Sequence, residues 1–408
     1  MNSNSNLSNF ANPFKPGAGH QPPYLAGRQK ESREFDHLLT QTTILENMVL
    51  TGLRGVGKTV LLDTFKPKAI AEGWRWVGTD LSEAASLTEE NLATRLLADI
   101  SIATSSIVVE DREIGGIGFR PETIQDQIKL DYHYLKFIFE RTPGLISDKI
   151  KKVLDVVWDV GKSHFKGIVF AYDEAQNLAD HAKKDQYPLS LLLDIFQSIQ
   201  KKDIPFMLVL TGLPTLFPKL VEARTFAERI FHVVFLERLG EEACREAIIK
   251  PVEDANCQVN FNNESIALIQ EYSGGYPYFI QFICREVFDV WLQQIKANET
   301  PSVPIGEIIQ KLDTDFFAGR WARATDRQRE LLSVVANLDN CDSEFTVQQV
   351  VEKSKKMLDK SFSSSHVNQM FNTLSEHGLV YKNRTGKYLF AVPLFDRFIL
   401  RQIDTSAA

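Results

Sequence analysis

A glycine-rich segment of eight residues constrains this chain more than any other feature of its sequence. The segment reads Gly52-Leu53-Arg54-Gly55-Val56-Gly57-Lys58-Thr59 and fits the pattern GxxxxGK[ST]. Glycines at these spacings let backbone N–H groups converge on phosphate oxygens, and a following helix adds its positive N-terminal end. An apolar run at 48–50 precedes the segment, and an amphipathic stretch from residue 60 follows it. We therefore predict a phosphate-binding loop between a buried strand and a helix.

The loop contains the residues that we expect to hold a nucleotide and its metal ion. Lys58 is expected to reach the β- and γ-phosphates, and the hydroxyl of Thr59 to bind magnesium. The predicted cofactors are therefore ATP and Mg²⁺. The predicted nucleotide-binding residues of this region are Gly52, Arg54, Gly55, Val56, Gly57, Lys58, Thr59 and Val60.

A second motif, further along the chain, combines an apolar run with two acidic residues. Residues 168–172 are apolar and are followed by Asp173 and Glu174. A strand that carries two adjacent carboxylates to its C-terminal end provides what magnesium binding and water activation need. Asp173 is expected to hold the ion through water, and Glu174 to polarise the attacking water. Together with the loop, the pair predicts an ATPase that converts ATP and water to ADP and phosphate.

Three further side chains are candidates for roles at the γ-phosphate. Thr211 closes the next apolar run, where it either orients the water or contacts the phosphate, or instead caps the following turn. Arg224 and Arg229 precede the last apolar run of this region. In a homo-oligomer either arginine would be able to reach a neighbour's γ-phosphate as an arginine finger. The alternative for both is a surface or salt-bridged side chain.

Apolar runs and helical patterns alternate from residue 24 to about residue 239. The five predicted strands cover residues 48–50, 74–77, 168–172, 206–210 and 231–236. Apolar residues at helical spacing over 189–199 predict a crossover helix. This alternation indicates an α/β fold with a parallel sheet that helices cover on both faces. The polar segment 101–131 is interpreted as an insertion without an assigned structure.

The segments before and after residues 24–239 lack this alternation of apolar runs and helical patterns. Residues 1–23 are rich in Pro, Gly, Asn and Ser, which predicts a disordered or extended arm. Residues 240–318 are predicted to be a helical lid. Within the lid, Gly274 and Gly275 are expected to end one helix and Pro277 to begin the next.

The pattern changes again over residues 319–408, which predict a winged helix. Thr325 and Thr346 each stand at the start of a capping box with a following glutamine. Ser364 or Ser365 is expected to cap a third helix. Two short apolar stretches around turn residues then predict a hairpin.

This C-terminal region is the candidate for binding double-stranded DNA. Residues 320–408 contain 13 Lys plus Arg against 10 Asp plus Glu, whereas the whole chain has a net charge of -7. The polar residues that would face a major groove are Ser365, His366, Asn368, Gln369 and Asn372, and the cations of the wing are Lys382, Arg384 and Lys387. The same face is equally consistent with a solvated surface or with a module that docks another protein.

The sequence contains no feature of a membrane protein. No apolar run reaches the ~20 residues that a transmembrane helix needs, and the Asn- and Ser-rich start lacks the parts of a signal peptide. We expect a cytoplasmic protein with no membrane partner.

The order of the motifs resembles that of AAA+ ATPases of the replication-initiator and STAND type. The residues that carry the resemblance are Tyr24-Leu25-Ala26-Gly27-Arg28 with Glu31 and Glu34, the phosphate-binding loop, Asp173-Glu174, Gly212-Leu213-Pro214 and Gly274-Gly275-Tyr276-Pro277. The resemblance covers nearly the whole chain after residue 23. It implies a P-loop ATPase domain, a helical lid and a winged helix, and it places Tyr24, Leu25 and Arg28 near the adenine.

The resemblance also contains a departure from the initiators. Pro277 stands where the initiators carry a lid arginine, whereas STAND and archaeal-type relatives have a proline that contacts the nucleotide. The resemblance thus favours a signalling or regulatory ATPase. The predicted function is a nucleotide-dependent switch that acts on DNA through the winged helix, with slow turnover because the sequence shows no substrate pocket beyond the phosphate site. One alternative is a protein-interaction ATPase of a bacterial signalling or defence module. The other is a scaffold that binds a nucleotide without hydrolysing it.

Overall fold

A computed structural model shows how the chain divides into two compact units. The described residues are 11–17, 19–114, 124–257, 259–297, 299, 301–384 and 386–407. The sheet unit comprises Gln29–Thr51 and Leu61–Phe235, and the lid unit comprises Met1–Arg28, Gly52–Val60 and Leu236–Ala408. The phosphate-binding loop therefore groups with the lid, and the boundaries predicted at residues 23, 239 and 318 stay predictions.

The sheet unit is built on a five-stranded sheet with the order β2-β5-β6-β1-β7. Its strands and those of a separate hairpin are β1 (Asn47–Gly52), β2 (Arg75–Val77), β3 (Val108–Ile114), β4 (Ile124–Lys129), β5 (Ile168–Tyr172), β6 (Phe206–Gly212) and β7 (Phe231–Leu236). The pairs β2–β5, β5–β6 and β6–β1 are parallel. Every residue of β1, β5 and β6 is buried, as expected for a covered parallel sheet. The five predicted strands and the α/β fold class are confirmed.

The helices of the sheet unit include the predicted crossover helix, which is α7. They are α1 (Gln29–Leu38), α2 (Lys58–Ala71), α3 (Glu83–Ser86), α4 (Glu89–Thr104), α5 (Tyr132–Arg141), α6 (Ile146–Gly161), α7 (Pro188–Gln200), α8 (Leu216–Ala223) and α9 (Ala227–Ile230). The insertion 101–131 contains the end of α4 and the antiparallel hairpin β3–β4. Residues 115–123 of this insertion lie outside the described residues.

The buried side chain of Asn47 joins the first residue of β1 to three other elements. Its Oδ1 accepts hydrogen bonds from the backbone N of Leu208 at 2.7 Å and from Nε2 of Gln200 at 2.8 Å. Its Nδ2 donates to the carbonyl of Ile230 at 3.2 Å. A buried polar group that is fully bonded to its neighbours fixes strand register, because any slip would leave those groups unpaired.

The lid is helical throughout its regular elements. These are α10 (Glu241–Asp254), α11 (Asn263–Ser273), α12 (Pro277–Lys296), α13 (Ile305–Leu312) and α14 (Ala318–Trp321), with a π-helical turn between the last two. Gly274 ends α11 in a left-handed conformation and Pro277 is the first residue of α12, as predicted. In the part of the chain that the structure describes, none of the helices combines the length and apolarity of a membrane span.

The C-terminal segment, residues 326–407, alternates helices with the strands of a small antiparallel sheet. Its elements are α15 (Asp326–Ala336), β8 (Phe345–Thr346), α16 (Val347–Met357), α17 (Ser364–Glu376), β9 (Val380–Arg384), β10 (Lys387–Phe390) and α18 (Phe395–Ala407). The sheet has the order β8-β10-β9. The three helices and the hairpin of the prediction are present, whereas β8 and α18 were not predicted. β8 is too short to show a pattern in the sequence.

The caps of these helices follow the sequence with one correction. The capping boxes that start at Thr325 and Thr346 are both formed. The cap of α17, however, is Ser363, whose hydroxyl accepts from the backbone N of His366 at 3.3 Å. The predicted caps Ser364 and Ser365 lie inside the helix. Consecutive serines are equivalent as capping groups, so the sequence does not fix which of them begins the helix.

Part of the N-terminal arm, predicted to be disordered or extended, packs on the lid, and residues 1–10 and 18 lie outside the described residues. Phe14 is only 2% exposed, and its ring lies 6.0 Å from that of Phe261 and 6.4 Å from that of Phe288. Nδ2 of Asn12 donates to Oδ1 of Asp289 at 2.8 Å. Two isolated phenylalanines in a polar stretch, Phe10 and Phe14, give no periodic signal, which is why the sequence did not reveal this contact.

We predict that replacing Phe14 with Ala destabilises the lid unit. Loss of a buried phenyl ring removes apolar contacts and leaves a cavity, which we expect to cost about 3 kcal/mol. Urea unfolding curves should show this as a lower midpoint, whereas Lys15→Ala, at an exposed neighbouring position, should leave the midpoint unchanged. Equal midpoints for the wild type and Phe14→Ala would show that the arm does not contribute to stability.

Candidate functional site

The phosphate-binding loop connects β1 to α2 in a conformation that glycine permits. Gly55 and Gly57 have φ angles of 79° and 92°, in the left-handed region where other residues are strained. Among the described residues, no atom lies within 4 Å of the position that a Cβ on Gly57 would occupy. The backbone is thus open on this side of the loop, where an anion would approach the N–H groups.

The loop's own backbone holds the side chain of Lys58. Its Nζ donates to the carbonyl of Gly52 at 3.0 Å and to that of Leu53 at 2.9 Å, and the residue is 9% exposed. These bonds keep the ammonium group beside the glycine-rich backbone, where its charge adds to that of the N–H groups. Thr59 follows it in the first turn of α2.

The side chain of Arg28 is hydrogen-bonded to the backbone of the phosphate-binding loop. The residue is 6% exposed, and its Nη2 donates to the carbonyl of Val56 at 2.9 Å and to that of Glu237 at 2.8 Å. The guanidinium thus joins two stretches of backbone, one of them in the loop; the place near the adenine that the resemblance implies stays a prediction. Arg28 is therefore placed to position the loop.

The loop also contacts the lid and the C-terminal segment within the lid unit. The backbone N of Tyr278, the residue after Pro277, donates to the carbonyl of Gly55 at 3.2 Å. Nη1 of Arg54 donates to the carbonyl of Gly378 at 3.4 Å. Gly378 follows α17 with a φ of 67°, and a Cβ there would stand 2.9 Å from Nη1 of Arg54. One loop is thus bonded to the first turn of α12 and to the end of α17.

The N-terminal arm passes beside the first turn of α2. Nε2 of Gln21 donates to the carbonyl of Val60 at 2.9 Å, and a Cβ on Gly19 would stand 3.4 Å from Cγ2 of Thr59. Tyr24 packs partly buried against the apolar core of the lid. Gly19 and Gln21 therefore lie beside the first turn of α2, next to the phosphate-binding loop.

The acid pair lies at the carboxyl end of β5, in the sheet unit. Asp173 is 4% exposed. Its Oδ1 accepts hydrogen bonds from the backbone N of Glu174 at 2.7 Å and from the hydroxyl of Thr211, which is fully buried at the end of β6. The hydroxyl of Thr211 is therefore directed at Asp173, where it orients the carboxylate.

Asp63 adds a further carboxylate to this region. Burial raises the pKa of Asp63, and the negative charges of Asp173 and, to a smaller extent, Asp80 raise it further, against the opposing effect of Lys66. Asp63 follows Thr59 by one helical turn of α2, and this spacing is the signal by which the sequence could have indicated it. Crowded carboxylates with a neighbouring hydroxyl are the oxygen ligands that Mg²⁺ prefers.

These acidic side chains do not form a complete metal site by themselves. Within the described ranges, no three His, Cys, Asp or Glu side chains converge on a common point in the manner of a metal site. Magnesium commonly keeps water and phosphate oxygens among its ligands. A magnesium ion held by these residues would therefore need further ligands from water or phosphate.

Glu174 has an uncommon backbone conformation and a partner that the sequence did not indicate. Its φ and ψ are 51° and 33°, in the left-handed region, and its side chain is exposed. Its carboxylate accepts a hydrogen bond from Nε2 of Gln176, whose Oε1 in turn accepts from the backbone N of Leu213 at 3.0 Å. Non-glycine residues in this region are often found at functional sites.

The two candidate arginines have different environments. Nε and Nη2 of Arg224 donate to the two carboxylate oxygens of Asp194 at 2.8 and 2.6 Å, and its Nη1 donates to the hydroxyl of Ser190 at 2.8 Å. This bonding to Asp194 raises the pKa of Arg224 above its ordinary value. Arg229 is exposed on the short helix α9. Arg224 is thus salt-bridged within its own chain, and Arg229 lies at the surface.

Strand direction brings the ends of three functional segments to one edge of the sheet. β1 ends at Gly52, β5 ends directly before Asp173, and β6 ends with Thr211 and Gly212. β6 pairs in parallel with both of the other strands, so the carboxyl ends of all three lie at the same edge. In open α/β sheets, ligands bind at this edge.

Comparisons with known proteins agree with this arrangement. A family model described as a domain of unknown function, DUF8462, matches residues 314–399, and no curated protein matches the sequence. The Walker-type ATPase of Pyrococcus abyssi is similar in structure, with a TM-score of 0.56 and 15% identity, over 93% of this chain and 97% of that one. The ORC2 protein of Aeropyrum pernix in its ADP form is similar with a TM-score of 0.54 and 13% identity, over 96% and 99%.

At such low identity, structural similarity establishes the fold. The similarity extends over nearly the full length of each chain. This chain therefore shares the fold of these two proteins, an α/β fold of the AAA+ P-loop type.

Proposed function

We propose that this chain binds ATP with magnesium and hydrolyses it slowly, as a nucleotide-dependent switch. The observation that carries the proposal is the shared edge of β1, β6 and β5, because the loop follows β1 and the acid pair follows β5. Nucleotides accompany the similar ORC2 protein in its ADP form and in its ADPNP–ADP complexes, the latter at a TM-score of 0.51 with 14% identity. The proposal extends that ligand class to this chain.

The residues of the loop and of the acid pair each have a part in this proposal. The loop N–H groups and the ammonium of Lys58 bind the phosphates. The hydroxyl of Thr59 and the carboxylate of Asp173 hold the magnesium ion, which neutralises phosphate charge when bound. Glu174, whose carboxylate is exposed, accepts a hydrogen bond from the attacking water and receives its proton. The hydroxyl of Thr211 keeps Asp173 in position.

We predict that two substitutions separate ATP binding from ATP hydrolysis. Lys58→Ala removes charge-assisted hydrogen bonds worth about 1.5–3 kcal/mol, so ATP affinity should fall by about 10- to 100-fold. Glu174→Gln keeps the shape of the side chain without its basicity, so affinity should remain while kcat falls by at least about 100-fold. Calorimetric titration measures the first effect and phosphate release the second.

Glu72→Gln is the matched control, because this glutamate is exposed and pairs only loosely with Lys166 at 3.4 Å. It should behave as the wild type in both assays. Wild-type turnover by Glu174→Gln would contradict the assignment of the base. ATP binding without turnover in the wild type would instead identify a nucleotide-binding scaffold.

The bonds of the loop suggest how a nucleotide would act on the C-terminal segment. Arg54 is part of the loop and donates to Gly378, at the end of α17. The carbonyl end of a helix attracts cations, so this contact adds a favourable dipole interaction. Phosphate in the loop would draw Arg54 towards its negative charge, and we propose that the contact with Gly378 weakens as a result. Such competition is what a switch requires, because the two states then differ in free energy.

We predict that Arg54→Ala uncouples the C-terminal segment from the nucleotide. Hydrogen exchange of the backbone amides around Gly378 should quicken when the wild type binds a non-hydrolysable ATP analogue. In Arg54→Ala the exchange should be equally fast with and without the analogue. Arg323→Ala, which changes an exposed arginine of the same unit, should keep the nucleotide-dependent difference. If that difference survives in Arg54→Ala, the contact is not the coupling element.

We further propose that the C-terminal segment is a winged helix that binds double-stranded DNA. The polar residues predicted to face a groove lie exposed on α17, and Lys382 is exposed on β9. Arg384 is less suited to phosphate than expected, because its Nε and Nη2 donate to the carboxylate of Glu344, at 3.0 and 2.6 Å. Lys382 and Lys387 are therefore the better candidates for phosphate contacts.

We predict that the double substitution Lys382→Ala with Lys387→Ala weakens DNA binding and its dependence on salt. Removing two phosphate contacts should reduce the slope of log affinity against log salt concentration by about 2. Fluorescence anisotropy with a random-sequence duplex, at several salt concentrations, measures this slope. The control is Lys183→Ala with Lys184→Ala, which changes the same charge at exposed positions of the sheet unit.

An unchanged slope would contradict DNA binding by the wing. A protein partner that co-purifies after nuclease treatment, and is lost on truncation at residue 319, would favour the alternative of a docking module. In that case the chain would be the ATPase subunit of a signalling or defence assembly.

A further inference from the structure

The turn after β5 contains a side chain that joins the acid pair to the next strand. Gln176 lies in the short 3-10 turn Ala175–Asn177, directly after Glu174. Its Nε2 donates to Oε2 of Glu174, and its Oε1 accepts from the backbone N of Leu213 at 3.0 Å. An ionised carboxylate only accepts hydrogen bonds and a backbone N–H only donates them. The orientation of the amide is therefore determined by its two partners.

The surroundings hold Gln176 in this orientation. A Cβ on Gly212 would stand 2.6 Å from Oε1 of Gln176, so the amide occupies the space that this glycine leaves open. Nζ of Lys219 donates to the backbone carbonyl of Gln176 at 3.0 Å. Burial lowers the pKa of Lys219, although the nearby Glu222 acts in the opposite direction. Both the main chain and the side chain of Gln176 are thus fixed by β6 and the helix α8 that follows it.

The other carboxylate of the acid pair is also connected to the end of β6. The hydroxyl of Thr211 donates to Asp173 directly, whereas Glu174 is connected to that end of the strand through Gln176. The two connections differ in their effect on the carboxylate. Asp173 is buried, with further contacts around it, whereas Glu174 is exposed. An exposed glutamate has many accessible rotamers, and a fixed amide reduces them to those that satisfy the hydrogen bond.

We propose that Gln176 is a positioning residue for Glu174. It holds the carboxylate at the end of β6, so that the base and the Thr211–Asp173 pair keep a fixed mutual geometry. This inference rests on the proposed function, in which Glu174 accepts a proton from the attacking water. Errors of about 1 Å in the placement of a reacting group can reduce a rate about 100-fold. The loss of Gln176 therefore affects the chemical step rather than the binding of ATP.

Two substitutions of Gln176 test this inference by steady-state ATP hydrolysis and by ATP titration. Gln176→Glu keeps an acceptor for the N–H of Leu213 but replaces the donor to Glu174 with a second carboxylate. Gln176→Leu removes both bonds without adding charge. Both variants should lower kcat by about 10- to 100-fold, with KM and the dissociation constant of ATP within threefold of the wild type. Gln186→Glu, the same change on the same β5–α7 connection, keeps its acceptor for the N of Glu89 and should have wild-type kinetics.

A second measurement separates positioning from a general structural role. In the Glu174→Gln background the base is already absent, so adding Gln176→Leu should leave the residual single-turnover rate unchanged. A structural role would lower that residual rate and the affinity for ATP as well.

The outcomes distinguish this inference from the proposed function. If the wild type hydrolyses ATP and Glu174→Gln does not, while Gln176→Glu and Gln176→Leu bind ATP normally and retain wild-type kcat, the inference is wrong and the proposed function stands. A wild-type rate in Gln176→Glu alone would show that the bond to Leu213 suffices, which also contradicts the inference. A wild type without turnover overturns both.

Discussion

Parallel pairing of β1, β6 and β5 is the constraint on which the rest of the structure depends. Because the three strands run in one direction, everything that follows them starts from the same edge of the sheet. All residues of these strands are buried, so a register slip of one residue would turn every side chain to the opposite face of the sheet. The bonds of Asn47 to Leu208 and Gln200 add a polar restraint to the same register. The polar residues at this edge keep their positions because the buried strands that precede them cannot change register.

The phosphate-binding loop groups with the lid unit, although it directly follows strand β1 of the sheet. Arg28, which precedes α1, and Tyr278 of the lid donate to carbonyls of the loop, and Arg54 of the loop donates to Gly378 in the C-terminal segment. A loop with so many partners cannot change conformation alone. A ligand that changes the conformation of the loop therefore also changes the free energies of these bonds. A nucleotide acts as a signal when it binds one arrangement of these bonds more tightly than another.

The sequence predicted the elements whose signal is local. The loop, the five strands and the capping boxes at Thr325 and Thr346 each depend on residues that are neighbours in the chain, so pattern and propensity suffice for them. Gln176 and Phe14 were missed because each has a partner that is distant in sequence. The amide of Gln176 bonds to Leu213 only once β6 lies beside β5, and the ring of Phe14 packs against Phe261 and Phe288 of the lid. Sequence alone likewise gave no means of learning that Arg224 is held by Asp194.

A crystal structure with magnesium and a non-hydrolysable ATP analogue would show whether the loop and the acid pair bind the same nucleotide. We expect β- and γ-phosphates within the loop, bonded to Nζ of Lys58. We also expect a metal ion that contacts the hydroxyl of Thr59, with a metal-bound water on the carboxylate of Asp173 and the carboxylate of Glu174 facing the γ-phosphate. A triphosphate bound elsewhere, or a metal ion remote from Asp173, would contradict the proposed nucleotide site.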